Sequence, residues 1–193
     1  DATTYVFASL RHACYTCGAP CRATALLGLR RIVERQPASW VLAHEADLCS
    51  ALLHASEDEA RPDDAASAAS LLSDAMAKCH GKGAPPALAE PSKAVAKTLA
   101  ERMASALSAS SGGTRVAAKA GLTGLAGNLS TSVGEVLLPL RETHLSPLLG
   151  RKLRALALPA QVAITEAVCF VLRESPRGEG ASELLPLDAA LIS

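Results

Sequence analysis

The chain has 193 residues, with 19 basic and 19 acidic side chains and a formal net charge of zero. That length allows one large domain or two small ones, and a sizeable core. The balance of charge leaves no electrostatic case for nucleic acid or an anionic membrane as partner. Hydrophobic residues make up 49% and aromatics only 3%. Ala and Leu supply most of the apolar count, and both favour helix over strand. The expected class is therefore all-α. There is no run of 18 apolar residues and so no expected membrane span, and no charged-then-apolar leader opens the sequence. The first residue is Asp1, which leads us to expect a processed chain or a piece of a longer polypeptide.

In chain order, the first helix is expected from Thr4 to about Cys17, with Val6, Leu10, Ala13, Cys14 and Cys17 as its apolar stripe. Gly18 closes it, and Pro20 suits the first turn of a second helix running to about Arg35. There Ala25, Leu26, Leu29, Ile32 and Val33 face inward, while Arg30 and Arg31 lie outward. Gln36-Pro37 ends it. A third helix covers Trp40 to Ala55 on a stripe of Leu42, Ala46, Cys49, Leu52 and Leu53. Glu45 and Asp47 sit beside that stripe and must reach solvent or a neighbouring helix. Residues 56 to 64, SEDEARPDD, form an acidic loop, and Asp63 or Asp64 can cap a fourth helix to about Cys79.

Residues 81 to 91 are a linker-like break. Ser92 is the expected cap of a helix carrying Val95, Leu99, Met103 and Leu107. Thr114 is the expected cap of the next, with Val116, Ala117, Ala120, Leu125 and Leu129. The segment Ser132 to Leu156 is kinked at Pro139 or divided at Ser146-Pro147. Pro159 opens a helix to about Glu174, and a short one follows from Ser182 to about Ile192. Second members of helix pairs begin near residues 21, 64, 114 and 159, at spacings of 43, 50 and 45. That period matches the ~40–47 residues of HEAT or armadillo repeats. The expectation is a single α-solenoid segment over residues 1–193 built of antiparallel helix pairs, with an irregular helical bundle as the alternative.

Chemistry is sparse. The stretch HACYTCGAPC places His12, Cys14, Cys17 and Cys21 within ten positions. Structural zinc wants four ligands in two close pairs; Cys14, Cys17 and Cys21 supply three, and the fourth would have to be His12 or the distant Cys79-His80. A thioredoxin-like pair would open a helix after a strand, whereas this CxxC closes one. Cys21, near a helix start and beside Arg22, is the thiol placed for a lowered pKa. The plainer reading is that Cys14 and Cys17 are small buried residues. The five histidines read as surface, capping or packing residues. His44-Glu45 fails to complete HExxH because Leu48 stands where the second histidine belongs. GLTGLAG (121 to 127) reads as close helix packing and not as a phosphate loop. No cofactor and no catalytic residue is expected. The weak partner-contact candidates are Glu57, Asp58, Glu59, Asp63 and Asp64 in the acidic loop, with Arg30 and Arg31.

FASLRHACYTCGAPC followed by RATALLGLRRIVER, and QVAITEAVCFVLRESP followed by ELLPL, resemble SR-protein nuclear importers, the transportin-SR branch of the importin-β superfamily. That family is built of stacked HEAT repeats. The resemblance implies a non-catalytic protein-binding scaffold, a nuclear transport receptor fragment working in the cytoplasm, the nucleus or both. It implies Ran and cargo as partners, with no Ran-contacting residue carried over, and it makes Cys14 and Cys17 core residues. The rival expectations are a cytoskeletal, tubulin-binding HEAT domain and a structural subunit of a large complex.

Overall fold

The computed structural model describes residues 2–58, 60–149 and 153–174. Glu59 and the expected helix from Ser182 to Ile192 lie outside the described residues. The α-helices are α1 (Ala2–Thr16), α2 (Ala19–Arg35), α3 (Ala38–Ala55), α4 (Pro62–His80), α5 (Ala89–Ala106), α6 (Gly112–Leu129), α7 (Val133–Leu137), α8 (Ser146–Leu149) and α9 (Leu158–Glu174). No strand occurs among the described residues. Consecutive helices pack as antiparallel pairs, α1 with α2, α3 with α4, and α5 with α6. Alternate helices also touch: α1, α3, α5 and α7 form one layer, and α2, α4, α6 and α9 the other. The fold is an all-α solenoid, and helices of the second layer begin at residues 19, 62, 112 and 158, on the period expected from the sequence.

Proline and glycine punctuate the stack where their chemistry demands. Pro20 sits in the first turn of α2, where its missing N–H costs nothing, and the Gln36 amide closes the last turn on the Ile32 carbonyl before Pro37. The expected break at 81–91 is shorter than its composition suggests. A 3₁₀ turn over Pro86–Leu88 runs straight into α5. Ser92 is therefore not a cap; it lies inside α5, buried, because Pro91 is accommodated in the first turn. The cap of α6 is Ser111, whose Oγ accepts from the Thr114 amide at 3.3 Å. Thr114 is instead buried and donates to the Leu53 carbonyl at 3.3 Å. Ser132 and Glu135 close a reciprocal capping box on α7. Pro139 then ends the α geometry: a 3₁₀ turn over Leu138–Leu140 is followed by a π turn over Arg141–Leu145.

The core is made of leucines and alanines. Leu29, Leu48, Leu52, Leu71, Leu72, Leu99, Met103, Leu122 and Leu125 are buried along the seam between layers. Two expected stripes are shifted. Phe7, and not Val6, is buried on α1, and on α6 Val116 is exposed while the expected Ala117 and Leu125 are buried. Ala118, Gly121 and Leu122 complete the inner face of α6, and Ala163 lies on that of α9, where Val162 is exposed. Small residues let helices approach closely, and a Cβ on Gly121 would strike the Met103 sulfur and meet Leu72 at 3.4 Å. The glycines of GLTGLAG are packing residues at Gly121 and, more loosely, at Gly124, whose Cβ would meet Met76 at 3.4 Å.

Repeats are also tied by polar contacts. In the first layer Asp47 takes Arg11 from α1 and Arg102 from α5. Phe7 packs edge-on against Trp40 and His44, which stack on each other at 4.0 Å. In the second layer Arg30 pairs with Asp74 at 2.9 Å, Lys78 donates to the Val33 carbonyl at 2.6 Å, and Glu166 of α9 accepts from Arg115 and Lys119 of α6 at 3.0 and 3.1 Å.

Candidate functional site

The densest polar chemistry in the interior is at the junction of α3, α4 and α5. Glu45 lies on α3 between Leu42 and Cys49, within the apolar stripe, so its carboxylate is carried inward. His80 is the last residue of α4, and Ser92 lies in the first turns of α5. Glu45 Oε2 is 2.9 Å from His80 Nε2, and His80 Nδ1 is 2.6 Å from Ser92 Oγ. Both the Glu45 and His80 side chains are 0% exposed. With the carboxylate as acceptor, Nε2 donates, and in the neutral ring Nδ1 accepts from the Ser92 hydroxyl. Should both ring nitrogens carry protons, Ser92 can turn its hydrogen to the Cys79 carbonyl at 3.5 Å. Burial pushes the Glu45 carboxyl above the usual carboxylate range, opposed by His80. Glu45 Oε1 has no conventional hydrogen-bond partner.

A serine, an imidazole and a carboxylate in line have the order of a nucleophile triad. Here the histidine and glutamate side chains are fully buried, and the serine is 8% exposed. The arrangement works as a clamp. It spans three consecutive helices, and losing one member strands the others in an apolar surround. The neighbouring thiols of Cys49 and Cys79 are each pushed up to about 12 by burial, which makes them inert packing groups. Of these residues, sequence reasoning placed Glu45 only as reaching solvent or a neighbouring helix, and put His80 among capping and packing residues. The legible signal was a charged residue at a stripe position.

The opening cysteine cluster is at the α1–α2 corner. Cys14 is fully buried, Cys17 half-buried and Cys21 exposed. Burial pushes the Cys14 thiol up to about 11. The expected lowered pKa of Cys21 is overturned: its thiol is raised, first by the hydrogen bond it shares with Cys17. Arg22, expected to stabilise a thiolate there, spends its guanidinium elsewhere, on Asp58 at 3.3 Å and the Cys17 carbonyl at 3.5 Å. Among the described residues no group of three or more His, Cys, Asp or Glu side chains is arranged to hold a metal ion.

Two of the candidate contact residues, Arg30 and Asp64, line one hollow between α2 and α4. Glu57 pairs with His54 at 3.1 Å, and Asp58 is half-buried against Arg22. Asp63 and Asp64 are not caps. They occupy the first turn of α4 after Arg61, where negative charge still suits the helix dipole. Asp63 is exposed, but Asp64 is buried, with Arg61 at 3.8 Å. Glu59 lies outside the described residues. Arg30 is bound to Asp74, whereas Arg31 stands 73% exposed beside Glu34. An apolar groove of about 300 Å³ that the sequence did not suggest opens between α5 and α7. Ala96, Ala100, Val136 and Leu140 line it, and Lys93, Lys97 and Glu135 flank them. No helix among the described residues is long and apolar enough to cross a membrane.

A search of curated proteins gives no match. The family model described as the Tra1 HEAT repeat ring region matches residues 2–188, the stretch that includes every helix pair described above. The repeat architecture and the match agree, and the chain belongs to the Tra1 HEAT repeat ring region family.

Proposed function

We propose that the chain is a non-catalytic wall segment of a large multi-subunit assembly, a scaffold whose stacked helix pairs hold other proteins in place. The observation that carries this reading is the match to a HEAT ring region along residues 2–188, over a stack whose two layers extend, among the described residues, from α1 to α9. Stacked repeats present a long surface at little cost in chain, and their loops and outer faces carry partner contacts. The importin-β resemblance, and with it Ran and cargo, gains nothing from this family, so the structural-subunit reading takes its place. Such an assembly would work in the cytoplasm or the nucleus. Among the contact candidates, Arg31, Glu57 and Asp63 have the exposure a partner needs.

The test is quantitative mass spectrometry of the proteins that copurify with the full-length protein. Removing residues 2–174 is expected to abolish a defined set of stoichiometric companions. Charge reversal at Arg31 and Asp63, which leaves the core untouched, is expected to weaken some of them. An unchanged set of companions in the deletion would overturn the scaffold reading.

A further inference from the structure

We propose that the hollow between α2 and α4 is a socket for a lysine side chain of a partner protein, with Asp64 as its counter-charge. Ala23, Leu26, Leu27, Arg30, Asp64 and Ser67 line this hollow of about 170 Å³. The two helices lie side by side in the second layer. Arg22 ties one end to Asp58, just ahead of α4, at 3.3 Å, and Arg30 ties the other to Asp74 at 2.9 Å. Between the ties the small side chains of Ala23 and Ser67 leave the gap. That a partner exists rests on the scaffold reading; what the socket takes follows from its own chemistry.

The charges lining the hollow do not balance. Both terminal nitrogens of Arg30 are spent, on Asp74 and, at 3.4 Å, on the Ser67 carbonyl. The Asp64 side chain is only 7% exposed, yet its Oδ2 is buried with no hydrogen-bond partner. Arg61 holds its Nε 3.8 Å away, outside hydrogen-bond distance, and is itself 45% exposed. A buried carboxylate short of a donor is costly, and a cation entering the hollow relieves that cost. A metal ion is the wrong cation, since among the described residues no group of three or more His, Cys, Asp or Glu side chains could hold one. One unfilled acceptor calls for a single point charge, which a lysine ammonium supplies and an arginine fork does not. The wall suits the rest of that side chain. Leu26 is buried, and Leu27 is 66% exposed on the rim one turn after Ala23, so an aliphatic stem finds carbon to cover. Asp63, exposed beside Asp64, adds negative charge to the approach.

n-Butylamine, a lysine side chain without its backbone, probes the socket in the free full-length protein. It is coupled to carboxyl groups with a water-soluble carbodiimide, in equal competition with ethanolamine, whose stem is short and polar. Tandem mass spectrometry reads Asp63 and Asp64 separately. The butyl-to-hydroxyethyl ratio is expected to be at least about threefold higher at Asp64 than at Asp63, as burial of the longer alkyl stem requires. Leu27→Ser, a change on the exposed rim, is expected to bring the two ratios together. In a second arm the full-length protein and its copurified companions are treated with the carbodiimide alone. An amide between Asp64 and a companion lysine is expected, and Asp64→Asn abolishes it. Equal ratios in the first arm, or an Asp64 that takes neither amine, would overturn the socket. Companions that link only through other carboxyl groups would overturn it too and leave the scaffold reading standing. A protein with no companions would remove the scaffold reading and the partner lysine together.

Discussion

The α1–α2 corner and the α3–α4–α5 junction each gather polar side chains, and they are opposite in kind. At the corner three cysteines fall within eight positions of sequence, yet only Cys14 is fully buried and the outer two meet solvent or its edge. At the junction Glu45, His80 and Ser92 are 35 and 12 positions apart, and their side chains close into a dry chain of hydrogen bonds. Density along the sequence thus says little about energetic weight. Weight follows burial, because an unpartnered polar group is costly only where water cannot replace the partner. Water replaces a side chain lost at the open corner, whereas nothing replaces one lost at the closed junction.

That contrast is most easily broken at the junction. Glu45→Ala in the 193-residue chain removes one partner of a fully buried pair and leaves His80 unpaired, at a cost of about 3–5 kcal/mol, measured by urea unfolding. Ser92→Ala removes only a neutral hydroxyl and is expected to cost about 1–2 kcal/mol by the same measurement. Gly113→Ala probes a different constraint. A Cβ there would run into the Ser56 carbonyl, which is backbone and cannot swing aside, so a loss of about 1–3 kcal/mol is expected from overpacking. The contact between α6 and α9 should show itself through pH. Hydrogen bonds from Arg115 and Lys119 hold the Glu166 carboxyl below its usual value, so its contribution is present above the unfolded carboxylate range and fades as pH falls through the folded value. Glu166→Gln is expected to flatten that acid-side slope in a series of unfolding midpoints. Smallest of all, Cys21→Ser at the open corner is expected to shift stability by less than about 0.5 kcal/mol; a loss comparable with Ser92→Ala would erase the distinction between the two clusters.

Much of the architecture was legible in the sequence. Pro20, Gln36-Pro37 and the recurring small-then-apolar helices fixed α2 closely and set the repeat period, because proline and glycine act locally. The stripe of α6 was harder to read for a reason particular to this composition. With few aromatics, small residues can take the closest helix contacts, so Val116 is turned outward while Ala118 and Gly121 join the expected Ala117 at the seam. The starts of α5 and α6 were misplaced because Pro91 and Ser111 could each be read as loop, whereas tertiary contacts of Ser92 and Thr114 draw both helices further toward their N-termini. The contact candidates suffered similarly. Arg30 and Asp58 look free in sequence, but the stack supplies Asp74 and Arg22 as partners. The buried clamp was the least legible feature, since its members share no local pattern; only the charge of Glu45 within an apolar stripe pointed to it.

The two helices of one repeat, α3 and α4, are joined through the buried Glu45–His80 contact, and a double-mutant cycle tests that joint directly. Glu45→Gln, His80→Gln and the double variant are compared with the parent chain by urea unfolding. A coupling of at least about 1 kcal/mol is expected if the two side chains support each other across α3 and α4. Strictly additive losses would contradict it, and would mean that α3 and α4 are held together by their apolar packing and not by this pair.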